Sequence, residues 1–488
     1  MTNMPAQTVR FVPIIVAIFL GTFLSLLNTN TINIALPVLQ KEFGTGLDIV
    51  QWTLTGFLLA LGTAAPVTGY LGERFSYKHL YVASLLGVTL SSVLCALSWN
   101  APMLITFRIV QGAFCGFMVP VAMAMIFQII PSKQQPIAMS VWIAASTLAP
   151  AIGPTYAGWL LQHGSWQWLF WANLPLGLLS MIFAMIYIPY YRMTIPKKFD
   201  IWGLLTVIVA SSALLMGLSQ GHAWGWLSSR TLLFLGSGLL SLGLFVWREL
   251  STDSPLLNLR VLLNLRFTLT AILLSIVMVS FYSGTLLIPI FLQSVQQLSP
   301  LDTGIILLPS SAAMALLTLF VGRLYKKTGP MPLMVTGTIL LAGGSLPLSW
   351  LGVHSSAGYT LVWMIVRYLG LALIMMPAAT AGMEQISREL TGHASSLQNW
   401  MRNVVGSFGI AIFTSLLAAR SASHTAELTL QNTTDPLLIP PLSLTMSIND
   451  LNFIATWISL LAIPVAFAIR PSKDSIREET KERSSKAS

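Results

Sequence analysis

Long apolar runs separated by short polar loops dominate the pattern of this chain. Fourteen stretches have the length of roughly 20 residues that an α-helix needs to cross the hydrocarbon core of a bilayer. The predicted spans are 11–37, 48–72, 80–97, 101–127, 138–161, 166–188, 201–219, 231–247, 268–293, 304–323, 331–351, 358–379, 394–417 and 451–469. The pattern therefore predicts an all-α integral membrane protein with fourteen transmembrane helices.

The distribution of positive charge indicates the orientation of these spans. Of the 26 Lys and Arg residues, twenty lie on one side of the spans, three lie on the other side, and three lie inside spans. Because cytoplasmic loops carry the excess of Lys and Arg, we expect both termini and the Lys197–Lys198 loop in the cytoplasm. The polar Arg420–Asp450 segment, which contains three prolines, is then predicted to be an irregular outer loop.

Composition excludes a soluble protein. Charged residues make up 9% of the chain and hydrophobic residues 55%, whereas soluble domains carry about 25% charged residues. The net charge of +10 follows from membrane topology and does not indicate a nucleic-acid partner. Cys95 and Cys115 both lie in apolar spans, so we expect two core residues and no disulfide framework or metal site.

A weak internal repeat divides the chain. Gly69, Leu71 and Arg74 match Gly322, Leu324 and Lys327 at the same spacing, and Arg108 and Arg367 each precede a proline within their spans. Parallel repeats of this kind form two halves with a substrate site near the midplane between them. We predict six-helix bundles at 11–188 and 268–469, an extra helix pair at 201–247 and a cytoplasmic tail at 470–488.

A stripe of small residues marks the fifth span. Ala145, Ala149, Gly153 and Ala157 recur every four residues, which allows a second backbone to approach closely. Pro150 and Pro154 remove backbone donors, so this helix should bend. The sequence G-P-x-x-A-G, which ends at Gly158, is followed by W-x-W-x-F-x-x-N-x-P-x-G. This order resembles the antiporter signature of the major facilitator superfamily, in its fourteen-helix drug/proton antiporter branch.

The loop after the second span resembles another element of that family. Its residues match the pattern G-x-L-a-D-r-x-G-r-k, whose acid and base latch the inner face when such transporters open outward. Glu73 replaces the usual Asp, while Ser76 and Tyr77 depart from the pattern. A plain charged loop is the alternative. The resemblance assigns an inner-face gating role to Gly69, Gly72, Glu73, Arg74 and Lys78.

Three arginines lie inside spans, where a charge costs about 2.5–3.5 kcal/mol on insertion scales. Arg108 and Gln111 match the family's R-x-x-Q-G, and Arg367 and Arg402 lie in the second half. We expect these side chains to face a polar interior and serve the transport cavity. The alternative, in which the side chain snorkels to an interface, applies best to Arg402.

The first span contains a polar segment at Leu27–Pro37 that resembles the branch's L-D-x-T-x-x-N-x-A-L-P element. It either lines a wet cavity or bonds neighbouring helices together. The family's Asp is Asn28 here, and none of the sixteen acidic residues or six histidines lies in the middle of a predicted span. A proton site across the membrane is therefore not evident. The candidate residues in this span are Asn28, Asn30, Thr31 and Asn33.

The sequence predicts a secondary transporter of the bacterial plasma membrane that exports amphipathic small molecules by alternating access. Proton coupling is implied by the resemblance alone. The alternative is an uncoupled facilitator or lipid flippase of the same fold. No clustered catalytic constellation, metal site, cofactor motif or phosphate-gripping loop occurs, so neither an enzyme nor an ATP-driven pump is predicted. Expected partners are substrate, membrane lipid and protons, and the expected functional unit is a monomer.

The predicted topology can be tested with two single cysteines in a background that lacks Cys95 and Cys115. A cysteine at Thr194 should be labelled from the cytoplasmic side and a cysteine at Thr433 from the outer side, because an even number of helices precedes the first and an odd number precedes the second. Labelling with a membrane-impermeant maleimide in intact cells and inverted vesicles checks this. Labelling of both sites from the same side would exclude the fourteen-span topology.

Overall fold

The computed structural model describes residues 11–192, 200–252, 255–431 and 435–469, and these contain no β-strand. Helices suit a hydrocarbon environment because they satisfy their backbone hydrogen bonds internally. We number the long helices α1 Phe11–Phe43, α2 Trp52–Phe75, α3 Tyr77–Ala96, α4 Ala101–Ile129, α5 Gln135–His163, α6 Trp168–Tyr187, α7 Ile201–Trp224, α8 Ser229–Ser251, α9 Leu265–Val295, α10 Pro300–Thr328, α11 Pro330–Trp350, α12 Ala357–Met383, α13 Thr391–Gln431 and α14 Ile439–Ala468.

The number of membrane spans agrees with the sequence. Within the described ranges, thirteen helices are long and apolar enough to cross a membrane, and the bent helix α5 brings the number to fourteen. Its two parts, Ser132–Pro150 and Thr155–His163, meet at an angle of 46°. The prediction of an all-α membrane protein is therefore confirmed, and the predicted bend lies where the two prolines remove backbone donors.

Glycines allow close helix packing within each half of the chain. A Cβ atom at Gly112 of α4 would lie 2.3 Å from the carbonyl oxygen of Phe57 on α2. In the second half, a Cβ atom at Gly370 of α12 would lie 2.6 Å from the carbonyl oxygen of Gly337 on α11. Side chains would not fit in either place, so these glycines fix the helix pairs. We refer to α1–α6 as the N-terminal bundle and to α9–α14 as the C-terminal bundle.

The two bundles meet along α5 and α10 and along α13 against α2 and α4. At Gly322 of α10, a Cβ atom would lie 2.6 Å from the carbonyl oxygen of Pro136 on α5. The small-residue stripe of α5 is buried, with Ala145, Ala149 and Ala157 all inaccessible. Helix α5 thus packs between α1 of its own bundle and α10 of the other.

The additional pair α7–α8 contacts both bundles. Thr63 of α2 and Ser212 of α7 have hydroxyl oxygens 3.3 Å apart. The indole N–H of Trp400 on α13 donates at 2.7 Å to the hydroxyl of Ser211, which precedes Ser212 on α7. The pair therefore lies beside the line where the bundles meet, and an ion pair of 3.1 Å between Arg248 and Asp200 joins its two ends.

The prediction of an irregular loop over Arg420–Asp450 is wrong for most of that segment. Helix α13 continues to Gln431, and α14 begins at Ile439. Residues 420–431 contain no glycine or proline, so nothing in the chain ends the helix there. The predicted cytoplasmic residues Lys197 and Lys198 and the tail 470–488 lie outside the described residues.

Candidate functional site

Arg108 lies at the centre of a polar cluster inside the N-terminal bundle, with 1% of its surface exposed. Its Nε donates to the Thr53 carbonyl at 3.1 Å, Nη1 to Gln111 Oε1 at 2.7 Å, and Nη2 to the Asn28 carbonyl at 3.2 Å. The guanidinium carbon lies 4.0 Å from the ring centroid of Phe57. Each nitrogen therefore has an acceptor inside the bundle, and the side chain does not snorkel to an interface.

Further hydrogen bonds extend this cluster across four helices. The Gln111 amide donates to the Ser92 hydroxyl at 2.7 Å, and the Asn173 amide donates to Asn28 Oδ1 at 2.8 Å. Asn173 was not predicted as a site residue, although it is the asparagine of the signature quoted above. We call Asn28, Ser92, Arg108, Gln111 and Asn173 the Arg108 network. It ties α1, α3, α4 and α6 together.

The Arg108 network lies inside its bundle and not on the wall of an open cavity. Asn28 is 2% exposed and Gln111 is inaccessible, while Thr31 is also buried. Between the two sequence-based alternatives for the first span, the geometry of Asn28 corresponds to bonding between helices. The carbonyls and amides of the bundle take the place of water here. The predicted side chains outside the described part of the structure are Asn30, Asn33 and Pro154.

Arg367 occupies a similar place in the C-terminal bundle and is fully buried. Its Nη2 donates to the Ser283 hydroxyl at 2.9 Å and to the Ser280 carbonyl. A Cβ atom at Gly284 would lie 2.7 Å from the guanidinium carbon, so glycine makes room for the charge. Arg108 and Arg367 thus form separate centres, one in each bundle.

Arg402 differs from the two buried arginines because its side chain is half-buried. Its Nη2 donates to Asn399 Oδ1 at 2.7 Å, one turn earlier in α13. Eleven residues separate Arg402 from the start of α13, which places it about 16 Å along the helix at 1.5 Å per residue. This depth is close to the middle of a hydrocarbon core of about 30 Å. The Arg402 side chain therefore does not snorkel to the start of α13.

The predicted gating loop contacts the C-terminal bundle through Glu73. Its Oε1 lies 3.1 Å from Nε2 of His393, the third residue of α13. His393 Nδ1 accepts a hydrogen bond of 3.2 Å from the backbone N–H of Asn258. Since Nδ1 must therefore carry a lone pair, Nε2 carries the hydrogen that donates to Glu73. We call Glu73, His393 and Asn258 the latch, and the end of the bundles where they lie the latch end.

Close packing surrounds the latch. A Cβ atom at Gly69 would lie 2.9 Å from His393 Nδ1, and one at Gly72 would lie 2.3 Å from the Tyr77 ring. The Tyr77 hydroxyl in turn lies against Gly392, where a Cβ atom would clash with it. Gly69 is thus needed for the approach of α2 to α13, while Gly72 leaves room for the Tyr77 ring. His393 was not predicted, because its role depends on this approach and no local motif contains it.

The two basic residues of the gating loop bond within the N-terminal bundle. The Lys78 ammonium donates to the Met185 carbonyl at 2.7 Å, and the Arg74 carbonyl accepts from Arg192. A second bond between bundles comes from Gln128, whose amide donates to the Arg388 carbonyl at 3.1 Å. Glu73 and Gln128 therefore connect the bundles at this end. The Arg74 carbonyl and the Lys78 ammonium instead fix the gating loop to its own bundle.

Another carboxyl group lies at the latch end of the C-terminal bundle. Glu384, directly after α12, accepts from the Tyr325 hydroxyl at 2.7 Å and pairs with Arg266 at 3.4 Å. Burial raises the pKa of Glu384 above its usual value, while the Tyr325 bond and the Arg266 charge oppose the rise. This group joins α9, α10 and the α12–α13 turn within one bundle.

The other residues of the antiporter signature have mixed surroundings. Gly153 is buried and Pro150 is half-buried, but a Cβ atom at Gly158 would meet nothing within 4 Å. Gly158 is therefore not required for packing in this arrangement of the helices.

The described carboxylates lie near the ends of the spans. Glu73 and Glu249 belong to the last turns of α2 and α8, and Asp302 to the first turn of α10. Asp450 lies within α14, but it pairs with Arg420, which is about 44 Å along α13 and so beyond a core of about 30 Å. No group of three His, Cys, Asp or Glu residues among the described ones could hold a metal ion.

Comparison with known proteins gives consistent matches over most of the chain. The family model described as Major Facilitator Superfamily matches residues 18–410. The lincomycin resistance protein LmrB of Bacillus subtilis is 30% identical over 474 residues, which cover 97% of this chain and 98% of that protein. The multidrug transporter protein MdtP of the same species is 30% identical over 411 residues, which cover 84% of this chain and 76% of that protein.

Solved structures show the same fold at low sequence identity. The human organic anion transporter MFSD10 aligns with a TM-score of 0.65 at 13% identity, over 92% of this chain and 99% of that chain. The proton:xylose symporter XylE aligns with a TM-score of 0.59 at 14% identity, over 94% of this chain and 96% of that chain. With its many apolar helices and these relatives, the chain is a multi-pass membrane protein and belongs to the major facilitator superfamily.

Proposed function

We propose that this protein exports amphipathic small molecules across the bacterial plasma membrane by alternating access. The observation that carries the proposal is the division of the polar interior. Each bundle holds its own buried arginine, and the bundles join at the latch end through a few polar contacts. Relatives that are named as a lincomycin resistance protein and a multidrug transporter support an export function of the drug-efflux type.

The bundles α1–α6 and α9–α14 rock about the midplane as two bodies in this proposal, with α7–α8 as linker helices. The excess of Lys and Arg supports a cytoplasmic position for the latch end and both termini. Opening toward the cytoplasm then breaks the bond between Glu73 and His393. A hydrogen bond to a charged group contributes about 1.5–3 kcal/mol, which is small enough to break in every transport cycle.

The Arg108 network keeps the N-terminal bundle rigid during this movement. Arg108 donates to carbonyls on α1 and α2 and to Gln111 on its own helix, so these helices cannot separate without exposing a buried charge. Arg108 in this proposal organises the transport cavity by positioning the helices around it. Arg367 plays the corresponding part in the C-terminal bundle, through Ser280 and Ser283.

Proton linkage is weak or indirect in this proposal. At the position of the family's acid, Asn28 makes neutral hydrogen bonds with Asn173 and the Leu24 carbonyl. The same observation favours a second candidate, an uncoupled facilitator or flippase of the same fold. Protons would then act only at carboxylates near the span ends, such as Glu73. The functional unit in either case is a monomer in contact with membrane lipid.

Replacement of Arg108 tests its organising role. Arg108→Ala removes the groups that donate to the carbonyls of Thr53 and Asn28 and to Gln111 Oε1. Uptake into inside-out vesicles should therefore fall at least about tenfold while membrane insertion persists. Arg108→Lys keeps the charge but loses the geometry of three separate donors, and it should show partial activity. Arg230→Ala, at the exposed start of α8, is the matched control. Unaltered transport in Arg108→Ala would contradict the organising role.

Introduction of the family's acid tests the account of coupling. Asn28→Asp keeps the oxygen that accepts from Asn173 and adds a proton-binding carboxyl group. Vesicle uptake should become more dependent on an imposed pH gradient and should shift toward cationic compounds. The unmodified protein should transport with little change when the gradient is collapsed. Export of a permanent cation by the unmodified protein in strict proportion to the pH gradient would overturn this account.

A further inference from the structure

Helix α13 carries a polar segment in the middle of its membrane span. Gln398, Asn399, Arg402 and Asn403 lie seven to twelve residues after the start of the helix, or about 10–18 Å along its axis. Asn399, Arg402, Asn403 and Gly406 are spaced i, i+3, i+4 and i+7, so they share one face. Polar side chains at this depth are costly in hydrocarbon and indicate a function. We call Gln398, Asn399, Arg402 and Asn403 the α13 polar segment.

Of the three arginines inside spans, Arg402 is the one with a partly exposed side chain. Arg108 and Arg367 have 1% and 0% of their surfaces exposed, whereas Arg402 is half-buried. Its hydrogen bond to Asn399 comes from Nη2, which leaves the Nε and Nη1 edges of the guanidinium for another acceptor. This pattern contrasts with Arg108, whose three nitrogens all donate within the protein.

Two buried amide atoms beside Arg402 have no hydrogen-bond partner. They are Nδ2 of Asn403, a donor, and Oε1 of Gln398, an acceptor. A buried amide atom normally has a hydrogen-bond partner, so these two atoms are available to a further group at this place. The Asn403 donor lies on the same face as the Arg402 charge, and both suit a ligand with an acceptor oxygen.

Among the described residues, none supplies a negative charge to Arg402 at this depth. The neighbouring face of α9 offers Tyr282, which packs on Gly406, and Val279, which packs on Gly409. Helix α7 offers the neutral Ser211 to the adjacent Trp400. The described carboxylates of these packed helices lie at span ends, so the field around Arg402 is positive. Low surrounding dielectric strengthens this field.

We propose that the α13 polar segment binds the anionic head group of an amphipathic substrate. A carboxylate or sulfonate would accept from Arg402 and from the Asn403 amide. The inference rests on the proposed export function and specifies its substrate class as anionic amphiphiles.

Transport of a matched pair of probes tests the proposal. The pair is NBD-labelled dodecanoate and its neutral methyl ester, which differ in the charge of one end. The intact protein is reconstituted into phosphatidylcholine vesicles, so that no anionic lipid head group competes. The wild type should transport the carboxylate roughly tenfold or more faster than the ester at equal concentration, because a charge-assisted bond is lost with the ester.

Three variants identify the source of this preference. Arg402→Gln should remove the preference by slowing carboxylate transport far more than ester transport, and Asn403→Leu should reduce the preference. Arg420→Gln is the matched control because Arg420 lies on the same helix beyond the membrane core, paired with Asp450. It should keep the wild-type preference. Addition of phosphatidylglycerol to the vesicles should leave the preference unchanged, because the substrate and not a lipid supplies the anion.

The outcomes separate this inference from the export function. Equal transport of both probes by the wild type, or equal loss of both in Arg402→Gln, would overturn the anionic subsite and leave export standing. Loss of carboxylate transport on addition of phosphatidylglycerol would assign the site to lipid and overturn it as well. Failure of the wild type to transport either probe or any cationic or neutral dye would overturn both the subsite and the export function.

Discussion

A guanidinium inside a hydrocarbon layer must find its hydrogen-bond acceptors within the protein, and this constraint shapes both bundles. Arg108 takes carbonyls from α1 and α2 and an amide from α4, and Arg367 takes two acceptors from α9 for its Nη2 alone. Removal of one partner of such a buried charge costs several kcal/mol, so the contacting helices behave as one body. In the proposed cycle, the burial of each arginine therefore favours movement of its half as one unit.

In the proposed cycle, the movement falls at the boundary between the halves, where the contacts are of a different kind. Glu73 meets His393 in one hydrogen bond, and the backbones approach through Gly69 and Gly392. Glycine contacts involve little interlocking of side chains, so they can separate and form again at low cost. The helix pair α7–α8 bonds to both halves through Ser211 and Ser212, so the proposed rocking requires this pair to adjust.

The sequence predicted the helical fold well because transmembrane spans depend on local hydropathy, which each segment carries by itself. Asn28, Arg108 and Gln111, which motifs in the sequence indicate, lie together in the Arg108 network, and their part in transport stays a prediction. The sequence could not identify His393 as the partner of Glu73, since that contact joins residues 320 positions apart. The extension of α13 to Gln431 was missed because polar residues there were taken to indicate a loop, although they are compatible with a helix.

A reversible cross-link at the latch end tests the central claim that transport requires the bundles to separate there. Gln128 Nε2 lies 3.1 Å from the Arg388 carbonyl oxygen across the boundary, so Gln128→Cys with Arg388→Cys can be joined by a short bis-methanethiosulfonate reagent in a background lacking Cys95 and Cys115. Vesicle uptake of an amphipathic dye by this variant should stop on cross-linking and return on reduction, while each single variant is insensitive to both treatments. Undiminished uptake by fully cross-linked protein would contradict alternating access at the latch.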